Sequence, residues 1–324
     1  MKDWKIFRGD GKIHDELRNL PAPPPWRFNR PAAPIGQAIK EDLYQDPRAE
    51  AFRPSEAMIQ AVNAALYLRR PLLLTGKPGT GKSTLITKVA QELQLGPILR
   101  WPINSRSTVR SGIYEYDAVG RLHAGGSVEN YVVLGPLGTA LMAVRRPRAL
   151  LVDEIDKSDL DFANDLLNVI EEGEYEVAEL RRLAEREVTV RDALGQQLTV
   201  RDGRLGGGHF PFVVMTSNSE REFPAAFLRR CVRVTIAQPD QGQLEEIVNA
   251  QFQKYFNATQ RKDVTDIISY FLHKREEGDV STDQLLNTIF MTIALREDAS
   301  LSYTQGDLEK LKTTLLSHLG ETYI

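Results

Sequence analysis

The sequence predicts an α/β fold built on a parallel sheet, followed by a smaller all-helical domain. Three observations carry this reading. Residues Gly76 to Thr84 read G-K-P-G-T-G-K-S-T, a G-x-x-x-x-G-K-[ST] loop between the apolar run Pro71, Leu72, Leu73, Leu74 and an amphipathic segment. That is the strand, loop and helix order a phosphate-binding loop requires. Ala149 to Val152 and Phe212 to Met215 are continuous apolar runs, as in strands buried on both faces of a parallel sheet. Beyond Pro239 strand patterns cease and apolar residues recur at helical spacing.

The loop explains its own composition. Gly76, Gly79 and Gly81 allow positive φ and close approach of the backbone to oxygen atoms, so N–H groups at a helix N-terminus can point into a triphosphate. Gly76, Lys77, Pro78, Gly79, Thr80, Gly81, Lys82, Ser83 and Thr84 are therefore the candidate nucleotide-binding residues. Lys82 reaches the β and γ phosphates as a point charge, and the Ser83 hydroxyl takes one Mg²⁺ position.

Composition bounds the rest. With 324 residues, 42% hydrophobic, there is material for two cores. The net charge of -3 gives no overall pull toward nucleic acid or an anionic membrane. Cys231 is the only cysteine, which excludes an internal disulfide and fits a reducing compartment. His14, His123, His209, His273 and His318 lack metal-site spacing. No apolar stretch approaches the roughly 18 residues of a membrane span, and the first residues lack the apolar core of a signal peptide. A cytoplasmic protein is expected.

In chain order, residues 1–53 form an arm. Its stretch 21–34 holds six prolines with Trp26 and Phe28, a composition for extended structure that docks on its own domain or a neighbouring subunit, or stays a tail. Ser55 is a plausible N-cap for a helix through Met58, Ile59, Val62 and Leu66. After the loop, Leu85, Ile86, Val89, Ala90 and Leu93 give a helix stopped at Gly96, and Ile98 to Ile103 a second strand. Residues 106–131 read as an insertion with a short hairpin turning at Asp117 to Gly120, and Gly135 to Val144 as a helix. A helix through Leu160, Ala163, Leu166, Leu167 and Ile170 precedes a hairpin whose arms, Val188 to Asp192 and Leu198 to Asp202, repeat one another around Gly195. Val232 to Ile236 reads as a fifth strand, and residues 239–324 as about four helices.

Asp153 and Glu154 end the apolar run 149–152, at the strand edge where open α/β sheets bind ligands. In that position Asp153 would hold Mg²⁺ and Glu154 would polarise an attacking water. The plainer alternative is a solvated turn or helix cap.

The loop, Val152-Asp-Glu-Ile-Asp156, Met215-Thr-Ser-Asn218 and Phe227-Leu-Arg-Arg230 stand in the order found in AAA+ ATPases, and the chain resembles that family. Its MoxR-like branch is most similar, through Asn164, Leu166, Leu167, Ile170-Glu-Glu-Gly173 and Tyr131-Val-Val-Leu-Gly-Pro-Leu137. The resemblance covers residues 54–320. It implies a five-stranded parallel sheet of order 5-1-4-3-2 in residues 54–238, a helix-2 insert near 106–131, a pre-sensor hairpin near 186–205 and a helical lid over 239–324. It implies ATP and Mg²⁺, with Lys82, Glu154, Asn218 (sensor 1) and an arginine finger from Arg229-Arg230, Arg230 favoured, as catalytic residues. Asn104 is a candidate switch for Glu154, or a plain turn residue. One departure stands out: Val280-Ser-Thr-Asp-Gln-Leu-Leu286 has no arginine where the branch carries sensor 2, unless Lys274, Arg275 or Arg296 replaces it.

The resemblance implies a homo-oligomer, a hexamer with sites at subunit interfaces, that remodels a protein partner such as a von Willebrand factor A domain protein. The hairpins would line a pore or brace the ring. A slow nucleotide switch scaffolding a signalling or defence complex is the alternative, and an ATPase acting on nucleic acid the less favoured one. No Asn-Lys-x-Asp motif in guanine-specific position occurs.

Overall fold

The structure is a computed structural model and describes residues 3–26, 34–38, 40, 43–46, 49–50, 52–252, 258–278, 280–297 and 304–317. Phe28, His318 and part of the proline-rich stretch lie outside these. Two compact units emerge: Met1–Ala49, Arg53–Thr75 and Lys82–Thr235 form one, and Glu50–Phe52, Gly76–Gly81 and Ile236–Ile324 the other.

The first unit begins with the arm and helix α1 (Glu56–Leu68), which Ser55 caps by accepting the Met58 N–H. Strand β1 (Leu72–Thr75) leads to α2 (Lys82–Glu92) and β2 (Leu99–Pro102). The stop of α2 differs from expectation. Gln94, at φ 54, takes the left-handed position two residues before Gly96, and the Leu95 N–H closes the turn on the Ala90 carbonyl. A glycine is favoured there but not obligatory when the tertiary context holds the residue.

The insertion also differs. It contains α3 (Val109–Ile113), β3 (Tyr114–Tyr116) and α4 (Ala118–Ala124), and β4 (Val132–Leu134) follows it. β3 and β4 pair antiparallel, but Asp117 caps α4 by accepting the Gly120 N–H rather than turning a tight hairpin. An Asx side chain serves turn and N-cap through the same hydrogen bond, so sequence alone does not separate them. Helix α5 (Pro136–Leu141) is shorter than the expected 135–144. Then come β5 (Ala149–Asp153), α6 (Leu160–Glu172), β6 (Tyr175–Glu176), α7 (Ala178–Arg181) and the hairpin β7 (Glu187–Arg191) and β8 (Gln197–Arg201). The hairpin pairs as its repeat foretold, with Val190 opposite Leu198. Finally β9 (Arg204–Leu205), β10 (Phe212–Ser217), α8 (Ala225–Leu228) and β11 (Val232–Thr235) complete the unit.

Five strands run parallel in the order β11-β1-β10-β5-β2. Renumbered along the chain this is 5-1-4-3-2, as expected. β10 is buried at every residue and β5 at all but Asp153, which is why both read as unbroken apolar runs. A second, six-stranded sheet, β3-β4-β7-β8-β9-β6, gathers the insertion and the hairpin.

The arm is part of this unit. Phe7 and Leu17 are fully buried. Asn63 of α1, itself buried, accepts the Ile6 and Phe7 N–H groups at 2.7 and 3.0 Å and donates to the Phe7 carbonyl at 2.7 Å. Glu92 at the end of α2 is fully buried and accepts N–H groups of Arg8, Gly9 and Gly11 at 2.6, 3.2 and 3.2 Å. In the proline-rich stretch Trp26 does not dock on its own chain, being 79% exposed.

In the second unit the described residues form α9 (Gln241–Phe252), α10 (Ala258–Glu277), α11 (Thr282–Glu297) and α12 (Gln305–Leu315), helical as the apolar spacing beyond Pro239 predicts. Leu244, Val248, Ile268, Phe271, Leu285 and Ile289 meet in its core.

Candidate active site

The phosphate-type loop has the backbone its glycines foretell. Gly76, Gly79 and Gly81 take φ of 146, 75 and 86°, values that L side chains avoid. Space forbids a side chain as well. A Cβ on Gly76 would meet the Ile236 carbonyl oxygen at 2.5 Å, one on Gly79 the Thr282 nitrogen at 2.9 Å, and one on Gly81 the Phe52 ring at 2.7 Å. Lys77 and Pro78 are exposed, while Thr80 is buried and donates its hydroxyl to the Lys77 carbonyl at 2.9 Å. Thr84 is half-buried in the first turn of α2.

The first unit assembles the other candidates at the C-terminal edge of the parallel sheet. Lys82, at the first turn of α2, donates from Nζ to Asn218 Oδ1 at 2.8 Å. The Asn218 amide nitrogen lies 3.4 Å from Glu154 Oε1. Ser83 Oγ reaches Asp153 Oδ1 at 3.5 Å. Burial pushes the Lys82 ammonium pKa down, against the pull of Asp156, Asp153 and Glu154. Strands β5 and β10 are neighbours in register, Val152 opposite Met215, so their ends deliver Asp153, Glu154 and Asn218 together.

Three residues that sequence reading did not single out for a role hold this cluster. Thr216, buried, accepts the Glu154 N–H at 2.9 Å and donates its hydroxyl to Asp153 Oδ1. Asp156, also buried, accepts the Asn218 and Glu220 N–H groups on Oδ2 at 2.9 and 3.1 Å. Lys157 pairs with Glu154 Oε2 at 2.5 Å. Glu154 itself sits at φ 59, ψ 49. A left-handed non-glycine residue costs on the order of 1–3 kcal/mol and persists only where its surroundings impose it; the Thr216 hydrogen bond does so here. Asp156 was within reach of sequence reasoning, as the last residue of the Asp-Glu-Ile-Asp run. Thr216 offered only a hydroxyl at the end of an apolar strand.

Ser83 and Asp153 fit a Mg²⁺ ion: hydroxyl and carboxylate oxygens side by side are the hard donors it takes, one or two per site. Among the described residues no group of three or more His, Cys, Asp or Glu side chains forms a protein-only cage. Remaining positions would fall to phosphate and water.

The other candidates stand apart. Arg230 is engaged within the chain, donating to Glu171 Oε2 at 2.5 and 3.1 Å and to Asn168 Oδ1 at 2.8 Å. Arg229 is exposed. Asn104 makes a turn, accepting the Arg106 N–H at 2.8 Å, and does not bond Glu154 among the described residues. Of the sensor 2 substitutes, Lys274 pairs with Glu277 at 2.8 Å and Arg275 donates to the Pro239 carbonyl at 2.7 Å. The Arg296 side chain lies outside the described residues. Ser281 and Gln284 cap the start of α11 reciprocally at 2.8 and 3.3 Å.

Residues 71–231 match the family described as AAA domain (dynein-related subfamily). A search of curated proteins finds no match. Solved structures similar to the chain include NtrX from Brucella abortus in complex with ADP, 15% identical with a TM-score of 0.40, covering 78% of this chain and 54% of that one. Another is C. elegans PCH-2, 16% identical with a TM-score of 0.41, covering 86% and 70%. The chain thus spans little more than half the length of the NtrX chain it matches. The family match, covering the strands from β1 to β10, the phosphate-type loop and the Asp153-Glu154 edge, carries the assignment: residues 71–231 are an AAA+ ATPase domain.

Proposed function

We propose that the protein is a Mg²⁺-dependent ATPase of the MoxR-like kind, working as a homo-oligomeric ring, a hexamer, that remodels or regulates a protein partner such as a von Willebrand factor A domain protein. The observation that carries the reading is the run of contacts from Lys82 through Asn218 to Glu154, at 2.8 and 3.4 Å, beside Ser83 and Asp153. A cation, a neutral amide and a carboxylate in that order suit a γ phosphate, the water that attacks it and the base that orients the water. Ser83 and Asp153 would hold Mg²⁺, which would supply charge neutralisation to a bound triphosphate. Lys82 holds the β and γ phosphates, Asn218 positions the water or γ phosphate, and Glu154 accepts the proton of the attacking water.

An arginine from the Arg229-Arg230 pair of a neighbouring subunit completes the pocket by meeting charge that develops on the transferred group. Arg230 makes that move by exchanging Glu171 for phosphate; Arg229 is exposed and starts free of that exchange. Oligomerisation follows from this chemistry rather than from any apolar surface.

A second reading, a slow nucleotide switch within a scaffold, is favoured by one contact: Lys157 neutralises Glu154 at 2.5 Å. Both side chains are more than two-fifths exposed, and such surface pairs contribute little, about 0–1 kcal/mol. Glu154 is therefore readily released. The two readings part on Lys157→Ala, expected to leave ATP turnover within about threefold for an ATPase and to raise it tenfold or more for a switch restrained by this pair. The ATPase itself is tested by Glu154→Gln, expected to lower turnover about a hundredfold while ATP-dependent assembly, read by light scattering, persists. Equal turnover in both proteins overturns the proposal.

A further inference from the structure

At the opposite edge of the parallel sheet lies a cleft of about 870 Å³ that the nucleotide chemistry does not use. Arg69 precedes β1, Pro147 precedes β5, and His209 and Phe210 precede β10, so three strand starts converge on it. The arm closes its other side with Arg18, Leu20 and Pro23. Asp153 and Asn218 stand a strand length away, roughly 15 Å at 3.3 Å per residue.

The cleft carries an uncompensated cation. Arg69 ends α1 in the left-handed conformation, at φ 51 and ψ 44, and its guanidinium donates to two carbonyls, Leu66 O and Pro21 O, the latter at 2.7 Å. A guanidinium has five N–H donors, and among the described residues no carboxylate pairs with this one. Burial pulls its pKa down to about 10 with no acidic group pulling back. The acids nearby do not serve it. Asp15 is held by the buried Arg146 at 2.6 Å, with Arg18 3.8 Å from its other oxygen, and Glu172 stands exposed on the rim.

A second polar group in the wall is unfinished. His209 is 8% exposed, and its Nε2 is shielded from solvent without a hydrogen-bond partner among the described residues. Burial first, and the Arg69 and Arg146 charges after it, push the imidazole pKa down against hydrogen bonds with the Val144 and Arg145 backbone. Burial thus holds the ring in its neutral form in the wall of the cleft. Buried polar groups lacking partners are rare in folded proteins, and a cleft of this volume is of the size that small ligands fill. Leu20, Pro23, Pro147 and Phe210 make the remaining wall apolar.

We propose that this cleft is a second ligand site, for a small organic anion whose carboxylate, sulfonate or phosphate meets Arg69 and Arg18 and whose apolar body lies against Leu20, Pro23, Pro147 and Phe210. The site is independent of the ATPase reading, since none of its residues belongs to the nucleotide cluster.

The test uses the full chain in saturating Mg-ATPγS, titrated with anilinonaphthalene sulfonate as anionic probe and N-phenylnaphthylamine as its uncharged counterpart, both read by fluorescence. One saturable site is expected for the anion. Arg69→Gln is expected to weaken it at least tenfold, as loss of a charge-assisted hydrogen bond does, and to leave the uncharged probe within twofold. Arg69 caps a carbonyl of α1, so that variant is paired with two at exposed positions. Arg18→Gln is expected to weaken the anion about threefold, and Ala22→Trp, which fills the cleft from the arm, to abolish the site. No saturable binding overturns the proposal, as does an affinity unchanged by Ala22→Trp and Arg18→Gln together.

Discussion

Thr216 is the residue on which the two carboxylates depend. Its hydroxyl is at once acceptor for the Glu154 N–H and donor to Asp153, which fixes the strained Glu154 backbone and orients the Asp153 oxygen facing Ser83. Thr216→Val keeps the shape and removes both bonds. It is expected to cost about 1–3 kcal/mol, the penalty for stranded buried polar groups, and to lower ATP turnover about tenfold, read by thermal melting and a steady-state assay. Cys231 gives a second outcome at this scale. Burial raises its thiol pKa to about 12, so a thiol reagent at pH 8 is expected to leave it unmodified until the chain unfolds; rapid labelling of the native protein contradicts this. That Lys82, Ser83, Asp153, Glu154 and Asn218 would gather at one sheet edge was legible from the sequence, because each belongs to a short motif placed at a strand end or loop. Thr216 and Lys157 were not, since what they touch is decided by the pairing of β5 with β10 and by a turn after β5. Arg230 shows the same limit: no motif reveals that Glu171 and Asn168 hold it within its own chain.

Among the elements, the parallel strands were readable because burial on both faces leaves an unmistakable apolar run, and the hairpin of β7 and β8 because alternation and a glycine turn mark it locally. The arm was not. Its described residues make no regular strand or long helix, and its attachment rests on Asn63 and Glu92, polar helix residues that the apolar spacing does not single out. Glu92→Ala is expected to destabilise the protein by about 3 kcal/mol, since three backbone N–H groups lose their acceptor together. Faster hydrogen exchange should appear at residues 6–11; unchanged exchange there contradicts the anchoring role. At α12 the expectation concerns pH. Hydrogen bonds from the Thr304 backbone N–H and hydroxyl hold the Asp307 carboxyl below its ordinary value. A depressed carboxyl contributes stability that is full above the unfolded value and lost as pH falls through the folded one. Fraying of α12 is thus expected only below about pH 4, and Asp307→Asn should remove that acid dependence from the exchange of its first turn.

For the whole molecule, the strand order and the helical second unit were legible once the motifs were placed in sequence order, whereas the second sheet was not, because its strands are short and come from segments as far apart as Tyr114 and Leu205. Among the described residues no helix is long and apolar enough to cross a membrane. Everything proposed about assembly and partner rests on one physical event, a triphosphate seated around Lys82. Titration calorimetry of Mg-ATPγS into the wild-type chain and into Lys82→Ala tests it most directly. One nucleotide per chain is expected for the wild type, with affinity at least a hundredfold weaker in the variant. No heat from the wild type, or equal affinity in the two proteins, contradicts the account.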